Sequence, residues 1–264
     1  DCLIVTQFED RSFTVRGFRD VYFKSLRDFL SNRGINAVTA GFVMCGIGKI
    51  FLNRQPDVFA FEKFLKFSDI LKCLFTNLRL YLFKPRLKGL LSVFGGDMSD
   101  LIKKEIRFSI NSGQFFTNLI VYSAALNLLK RYRPRKIFYP FENRSWEKMI
   151  ILAARKASRD IKLAGYQHAS INAKHAPFCL EDGEYREIPF PDEIITTGFI
   201  TRDMLGSLLR FPQERIKAGC ALRQSLPKVY QTRPLPAKIN KILAVLTTNF
   251  YTDAEALEFL DRAF

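Results

Sequence analysis

Short apolar, β-branched runs recur along the chain, separated by stretches whose apolar residues repeat every three to four positions. Cys2 to Thr6 is the first such run, and Phe18 to Asn32 follows with Phe18, Val21, Tyr22, Leu26, Phe29 and Leu30 at helical spacing. Gly34 supplies the helix stop, and Ile35 to Val43 returns to strand composition. Strand, helix, strand in that order is the unit that builds a parallel sheet. From Pro134 the alternation resumes. Strands are predicted over Lys136 to Tyr139, Ile161 to Gln167, Glu193 to Thr197 and Ile216 to Ala221, with helices over Ser145 to Ser158 and Thr201 to Leu209. The fold class expected is α/β, a Rossmann-like parallel sheet flanked by helices.

Between these two halves the pattern changes. Phe59 to Leu91 reads as a basic, aromatic helical insertion: Phe64, Phe67, Leu71, Leu74, Phe75, Leu78 and Leu82 suit one face, while Glu62, Lys63, Lys66, Asp69 and Lys72 fall largely on the other. Pro85 breaks it, and Gly95 to Asp97 reads as a turn. Asp97 or Ser99 can cap a helix reaching about Asn111, and a second long helix covers Gln114 to Tyr132. The apolar segment Phe115 to Leu129 is too short to span a bilayer and carries Asn118, Ser123 and Asn127, so it is read as a core helix.

Domain organisation follows from the same alternation. Residues 1–226 form one Rossmann-like domain, 227–240 a turn-rich, proline-containing linker, and 241–264 the first strand and helix of a second such domain. The run begins directly in a strand and stops within a helix, which is the expectation for a piece of a longer protein.

Charge and cysteine content narrow the function classes. The 264 residues carry a formal net charge of +15, with 48% apolar and 14% aromatic residues, a composition that excludes a disordered chain. The charge is regional: between Lys49 and Lys136 there are 17 Lys and Arg against 6 Asp and Glu. A basic, Phe-rich amphipathic stretch suits an anionic membrane surface, with Lys63, Lys66 and Lys72 as its contacts, and it equally suits an ordinary core helix with a solvated face. No nucleic-acid-binding signature accompanies the charge, so nucleic acid is not an expected partner. The five cysteines are scattered and form no C-x-x-C pair, which points to a reducing cytosol and, for a membrane-associated form, its inner face. With two histidines only, His168 and His175, and one of them spaced four from Cys179, no metal site is expected.

Several catalytic motifs fail. The Cys45 to Lys49 run (CGIGK) lacks the leading glycine of a phosphate loop, having Val43 there, and Ile50 replaces the Mg²⁺-reaching hydroxyl. There is no G-x-S-x-G elbow. Two strand ends carry better candidates, because in open α/β sheets ligands bind outside the carboxyl ends of the strands. The first delivers Glu142 and Asn143 just ahead of a helix that Ser145 can cap. Glu142 serves either as a functional carboxylate or, like Glu147, as a complement to the helix terminus. The second delivers Gln167, His168 and Ser170, with His168 able to act as a general base or donate to a phosphate. Glu9, Asp10 and Arg11 line the mouth after the first strand.

Four motifs taken together, Phe138 to Glu147 (FYPFENRSWE), Gly165 to His168 (GYQH), Pro191 to Gly198 (PDEIITTG) and Ile216 to Arg223 (IKAGCALR), resemble the N-terminal half of bacterial GT-B glycosyltransferases of surface-carbohydrate and capsule-polysaccharide biosynthesis. The resemblance covers Lys136 onward; residues 1–135 match in element order only. It implies a transferase that moves a sugar from a nucleotide-sugar substrate, with no further cofactor, to a glycan or lipid-linked acceptor. Glu142 and His168 would be catalytic, with Glu9, Asp10, Arg11, Asn143, Gln167 and Ser170 binding substrate. Most of the second domain that would hold the donor is missing from this sequence, so the fragment is expected to be inactive alone. The alternatives are a non-catalytic module docking polysaccharide assembly onto a membrane, and a sugar-nucleotide epimerase on the same fold, which would turn over without an acceptor.

Overall fold

A computed structural model describes residues 1–14, 17–46, 55–82, 92–93, 96–97, 99–171 and 176–223. The expected linker, the second βα unit, the last part of the insertion at 83–91, the lysine of the CGIGK run and His175 lie outside the described residues.

Seven strands form one parallel sheet: β1 (Cys2–Phe8), β2 (Ala37–Val43), β3 (Val58–Ala60), β4 (Lys136–Pro140), β5 (Lys162–Tyr166), β6 (Glu193–Thr196) and β7 (Ile216–Ala218). Their spatial order is β7-β6-β5-β4-β1-β2-β3, with β1 hydrogen-bonded to β2 on one side and β4 on the other. Strand order reverses between β1 and β4. This is an α/β protein of Rossmann-like architecture, and the crevice where order reverses is where such sheets place their ligands.

The helices are α1 (Leu26–Ser31), α2 (Phe67–Leu82), α3 (Ser99–Asn111), α4 (Gln114–Tyr132), α5 (Ser145–Ala157) and α6 (Phe199–Asp203), the last continuing as a π-helical turn over Met204–Leu208. Side chains alternate across β1. Leu3 and Val5 join the larger core with Val121, Leu128 and Leu129 of α4 and Ile150, Ala153 and Ala154 of α5, whereas Ile4 joins Tyr22, Phe23, Leu30 and Tyr166 on the opposite face. The segment Phe115 to Leu129 is thus core, as its polar residues and length required.

Three expectations are corrected. The helix expected from Phe18 begins only at Leu26, because Asp20 intervenes: its buried Oδ1 accepts the N–H groups of Tyr22 and Phe23, both at 2.7 Å, and this side-chain turn outcompetes the helical ladder. The insertion expected as helix from Phe59 opens instead with strand β3 and a 3₁₀ turn at Phe61–Phe64, since Val58 to Ala60 pair with Thr39 to Gly41 at the sheet edge. Ser145 is not the cap of α5: Arg144 occupies that position with no side-chain capping bond, and Glu147 in the first turn reaches back to accept the Glu142 N–H ahead of the helix.

The apolar face read along the insertion divides. Phe64 is buried, but Phe67, Leu71, Leu74, Phe75, Leu78 and Leu82 are exposed, Phe67 to 74% and Leu82 to 71%. What α2 buries is the neighbouring arc with Cys73, whose sulfur meets the Ser123 hydroxyl of α4 at 3.5 Å. Asn127 of α4 fastens the start of α2, donating to the Phe64 carbonyl and the Asp69 carboxylate at 2.9 and 2.7 Å. No helix among the described residues is long and apolar enough to cross a membrane.

Candidate functional site

The carboxyl ends of β1 and β4 flank the crevice, and each delivers a carboxylate. Beyond β1, Glu9 accepts from Arg11 Nε at 2.5 Å, and the Tyr22 hydroxyl lies 2.8 Å from Glu9 Oε1 and 3.0 Å from Gln7 Oε1. Burial opposes ionisation of Glu9, but the hydrogen bonds from Arg11 and Tyr22, with the charges of Arg11 and Arg223, hold its carboxyl below the usual range. Tyr22 is pushed the other way, first by burial and then by its hydrogen bond to Glu9 and the charges of Glu9 and Glu142, so its proton stays on oxygen. Asp10 and Arg11 are exposed in the 3₁₀ turn that follows.

Beyond β4, Glu142 receives Arg144 Nε on Oε2 at 2.7 Å, and His168 Nε2 lies 3.4 Å from Oε1. His168, at the end of β5, has a side chain only 4% exposed and stacks at a tilt on Tyr22 with ring centroids 4.6 Å apart. Its other nitrogen, Nδ1, is 3.2 Å from an Arg223 guanidinium nitrogen. A guanidinium can only donate, so Nδ1 accepts, and the ring proton sits on Nε2 facing Glu142. Burial and the Arg223 charge bring the His168 pKa down to about 4, against the opposing pull of Glu142 and Glu9. At neutral pH the ring is uncharged, with its lone pair already engaged by Arg223.

Arg223 also lies over the Tyr22 ring, 5.4 Å from its centroid. The backbone near it is tied down by Tyr166, whose hydroxyl donates to the Cys220 carbonyl at 3.0 Å and accepts the Leu222 N–H at 2.8 Å. The crevice therefore gathers Glu9, Tyr22, Glu142, His168 and Arg223: two carboxylates, a phenol, a neutral imidazole and a guanidinium. Such a set can accept from and donate to hydroxyl groups, orient a carboxylate toward one of them, and offer a cation to an anionic group.

The other sequence-predicted residues are placed differently. Asn143 has a left-handed backbone (φ 57°), and its amide donates to the Pro177 carbonyl at 2.6 Å, holding the segment after the β5 end. Gln167 is buried; its amide bonds the Ala169 carbonyl, and its oxygen accepts from the Thr197 N–H and hydroxyl at 3.3 and 3.4 Å, tying the ends of β5 and β6 together. Ser170 is exposed. Lys63, Lys66 and Lys72 are exposed on and before α2, with Lys63 4.5 Å over the Phe59 ring.

Glu147 is buried in the first turn of α5, with Oε1 accepting the Glu142 N–H at 2.9 Å; burial raises its carboxyl to about 8. It supports the loop that carries Glu142. Tyr22 and Arg223 escaped the sequence reading. Tyr22 was absorbed into an apolar helical pattern. Arg223 stood five residues past the last sheet strand, where the same strand-end logic that selected Glu142 and His168 would have found it.

Among the described residues no group of three His, Cys, Asp or Glu side chains is arranged to hold a metal. No family model matches this chain, and no curated protein matches it in sequence.

Proposed function

We propose that the crevice between β1 and β4 is the acceptor side of a glycosyltransferase that takes its sugar from a nucleotide-sugar donor, in the manner of the GT-B enzymes whose motifs the sequence resembles. The observation that carries the reading is the convergence of Glu9, Tyr22, Glu142, His168 and Arg223 where strand order reverses. A sugar hydroxyl becomes a nucleophile when a carboxylate takes its proton, and Glu142, oriented through His168 Nε2–H, has the chemistry to do so. Glu9 and the Tyr22 hydroxyl would bind further hydroxyls of a glycan or lipid-linked acceptor, and the donor nucleotide would sit on a second domain.

The test is titration of the full-length protein with UDP-, GDP-, CMP- and dTDP-sugars, following thermal stability and then release of nucleotide in the presence of glycan acceptors. One nucleotide is expected to raise the melting temperature. Acceptor-dependent release should fall by about two orders of magnitude or more in Glu142→Gln. Turnover without acceptor would favour the epimerase, and no response to any nucleotide would overturn both.

A further inference from the structure

Independently of the crevice chemistry, the geometry points to α2 as an in-plane membrane-docking helix that seats this protein on an anionic lipid bilayer. The exposed side chains Phe67, Leu71, Leu74, Phe75, Leu78 and Leu82 recur at intervals of one to four residues and share one side of the helix, with exposed Tyr81 at its border. At 16 residues, α2 is about 24 Å long, and nearly its whole length presents this stripe. A groove of about 630 Å³ between Leu74, Leu78 and Tyr81 of α2 and Ile110 of α3 runs beside the stripe. A contiguous exposed apolar surface of this kind marks an interaction site.

Charge decides the partner. Lys72 and Arg79, seven residues apart, edge the apolar stripe; Lys63 and Lys66 precede it, and Lys104 and Arg107 lie exposed on α3. The nearby acids are outnumbered: Glu105 lies exposed beside Lys104 and Arg107, and three others have contacts of their own. Glu62 accepts the Val43 N–H, Asp69 takes the Asn127 amide and the Lys66 N–H, and Asp100 is paired with Lys103. A second copy of this chain would bring one cationic rim against another. An anionic leaflet meets both requirements at once: its headgroups face the lysine and arginine rim, and its acyl boundary receives the phenylalanine and leucine stripe.

The experiment uses the full chain with phosphatidylcholine vesicles prepared with and without phosphatidylglycerol, at low and high salt. Co-sedimentation is expected with the anionic vesicles, weakening with salt and falling by about tenfold or more when Lys63, Lys66 and Lys72 are all changed to Glu. A Phe75→Trp variant, read against the single native Trp146, should shift its emission to the blue on adding those vesicles. Absence of vesicle binding overturns the inference. So does binding with unchanged Phe75→Trp emission, which would place the lipid contact elsewhere, or self-association that buries the tryptophan in lipid-free solution.

Discussion

His168 sits between a carboxylate and a guanidinium that compete for its protonation state. Glu142, 3.4 Å from Nε2, favours the imidazolium; Arg223, 3.2 Å from Nδ1, disfavours it, and burial decides the balance for the neutral ring. Imidazole resonances followed by NMR should therefore show His168 uncharged down to about pH 4. An Arg223→Ala change should move its titration upward, because it removes a cation while leaving Glu142 and Glu9 in place. A His168 titration unchanged by that substitution would mean that the guanidinium does not control the ring. Of these residues Glu142 and His168 were legible in the sequence, since each follows a recognisable strand. Tyr22 was not, because its aromatic ring fitted an apolar helical pattern equally well. Only the buried Asp20 carboxylate, by capturing the N–H groups of Tyr22 and Phe23, breaks that helix and turns the phenol toward Glu9.

At the scale of elements, β2 passes close against the aromatic cluster at the end of β1. A Cβ on Gly41 would stand 2.4 Å from the ring of Phe8, which is fully buried and packed edge-on against Phe13 and Phe18 at 5.5 and 5.2 Å. The ring has no room to retreat. Gly41→Ala is expected to destabilise the protein by about 1–3 kcal/mol, read as a lower urea midpoint at unchanged slope. The cost should fall on the element that leads into Glu9. The helices illustrate the limits of periodicity. The helix expected over about Gln114 to Tyr132 spans those residues, and the basic cluster Lys130, Arg131 and Arg133 marks its close. For α2 the apolar spacing correctly gave a helix but said nothing of which way the stripe faces. The buried arc is the adjacent one through Cys73, chosen by its fit to Ser123 and Asn127 of α4.

Glu147 is a whole-molecule matter, because its ionisation couples to global stability. Its folded carboxyl titrates at about 8, raised by burial from an ordinary value of 4.5 and only partly compensated by backbone N–H donors. The folded state therefore holds a proton that the unfolded chain has lost across this range, and the stabilising contribution fades as pH rises from about 4.5 through 8. Glu147→Gln keeps an oxygen for the Glu142 N–H but cannot ionise. Its melting temperature should gain on the parent protein steadily between those limits, measured by thermal denaturation at a series of pH values. His168 contributes with the opposite sign, its depressed pKa removing stability as pH falls from 6.5 toward about 4, so comparison of the two proteins at each pH isolates Glu147.

The amino-acid sequence by itself determined the α/β class, six of the seven sheet strands and the long helices, because strand and helix periodicities are local properties of the chain. It also selected the ends of β4 and β5 as places where chemistry could sit. Edge strand β3 escaped it, since three residues are too few to establish a period and their pairing partner on β2 lies elsewhere in the chain. Only the tertiary structure decided the strand order, and with it the reversal between β1 and β4 that sets the Glu9–Tyr22 pair against the Glu142–His168 pair, with the Tyr22 and His168 rings 4.6 Å apart. Arg223 enters that crevice from past β7, at the opposite edge of the sheet from β3. Contacts across such sequence distances depend on which strands pair and which faces are covered. Those choices are made by packing the whole core at once, and no local pattern encodes them.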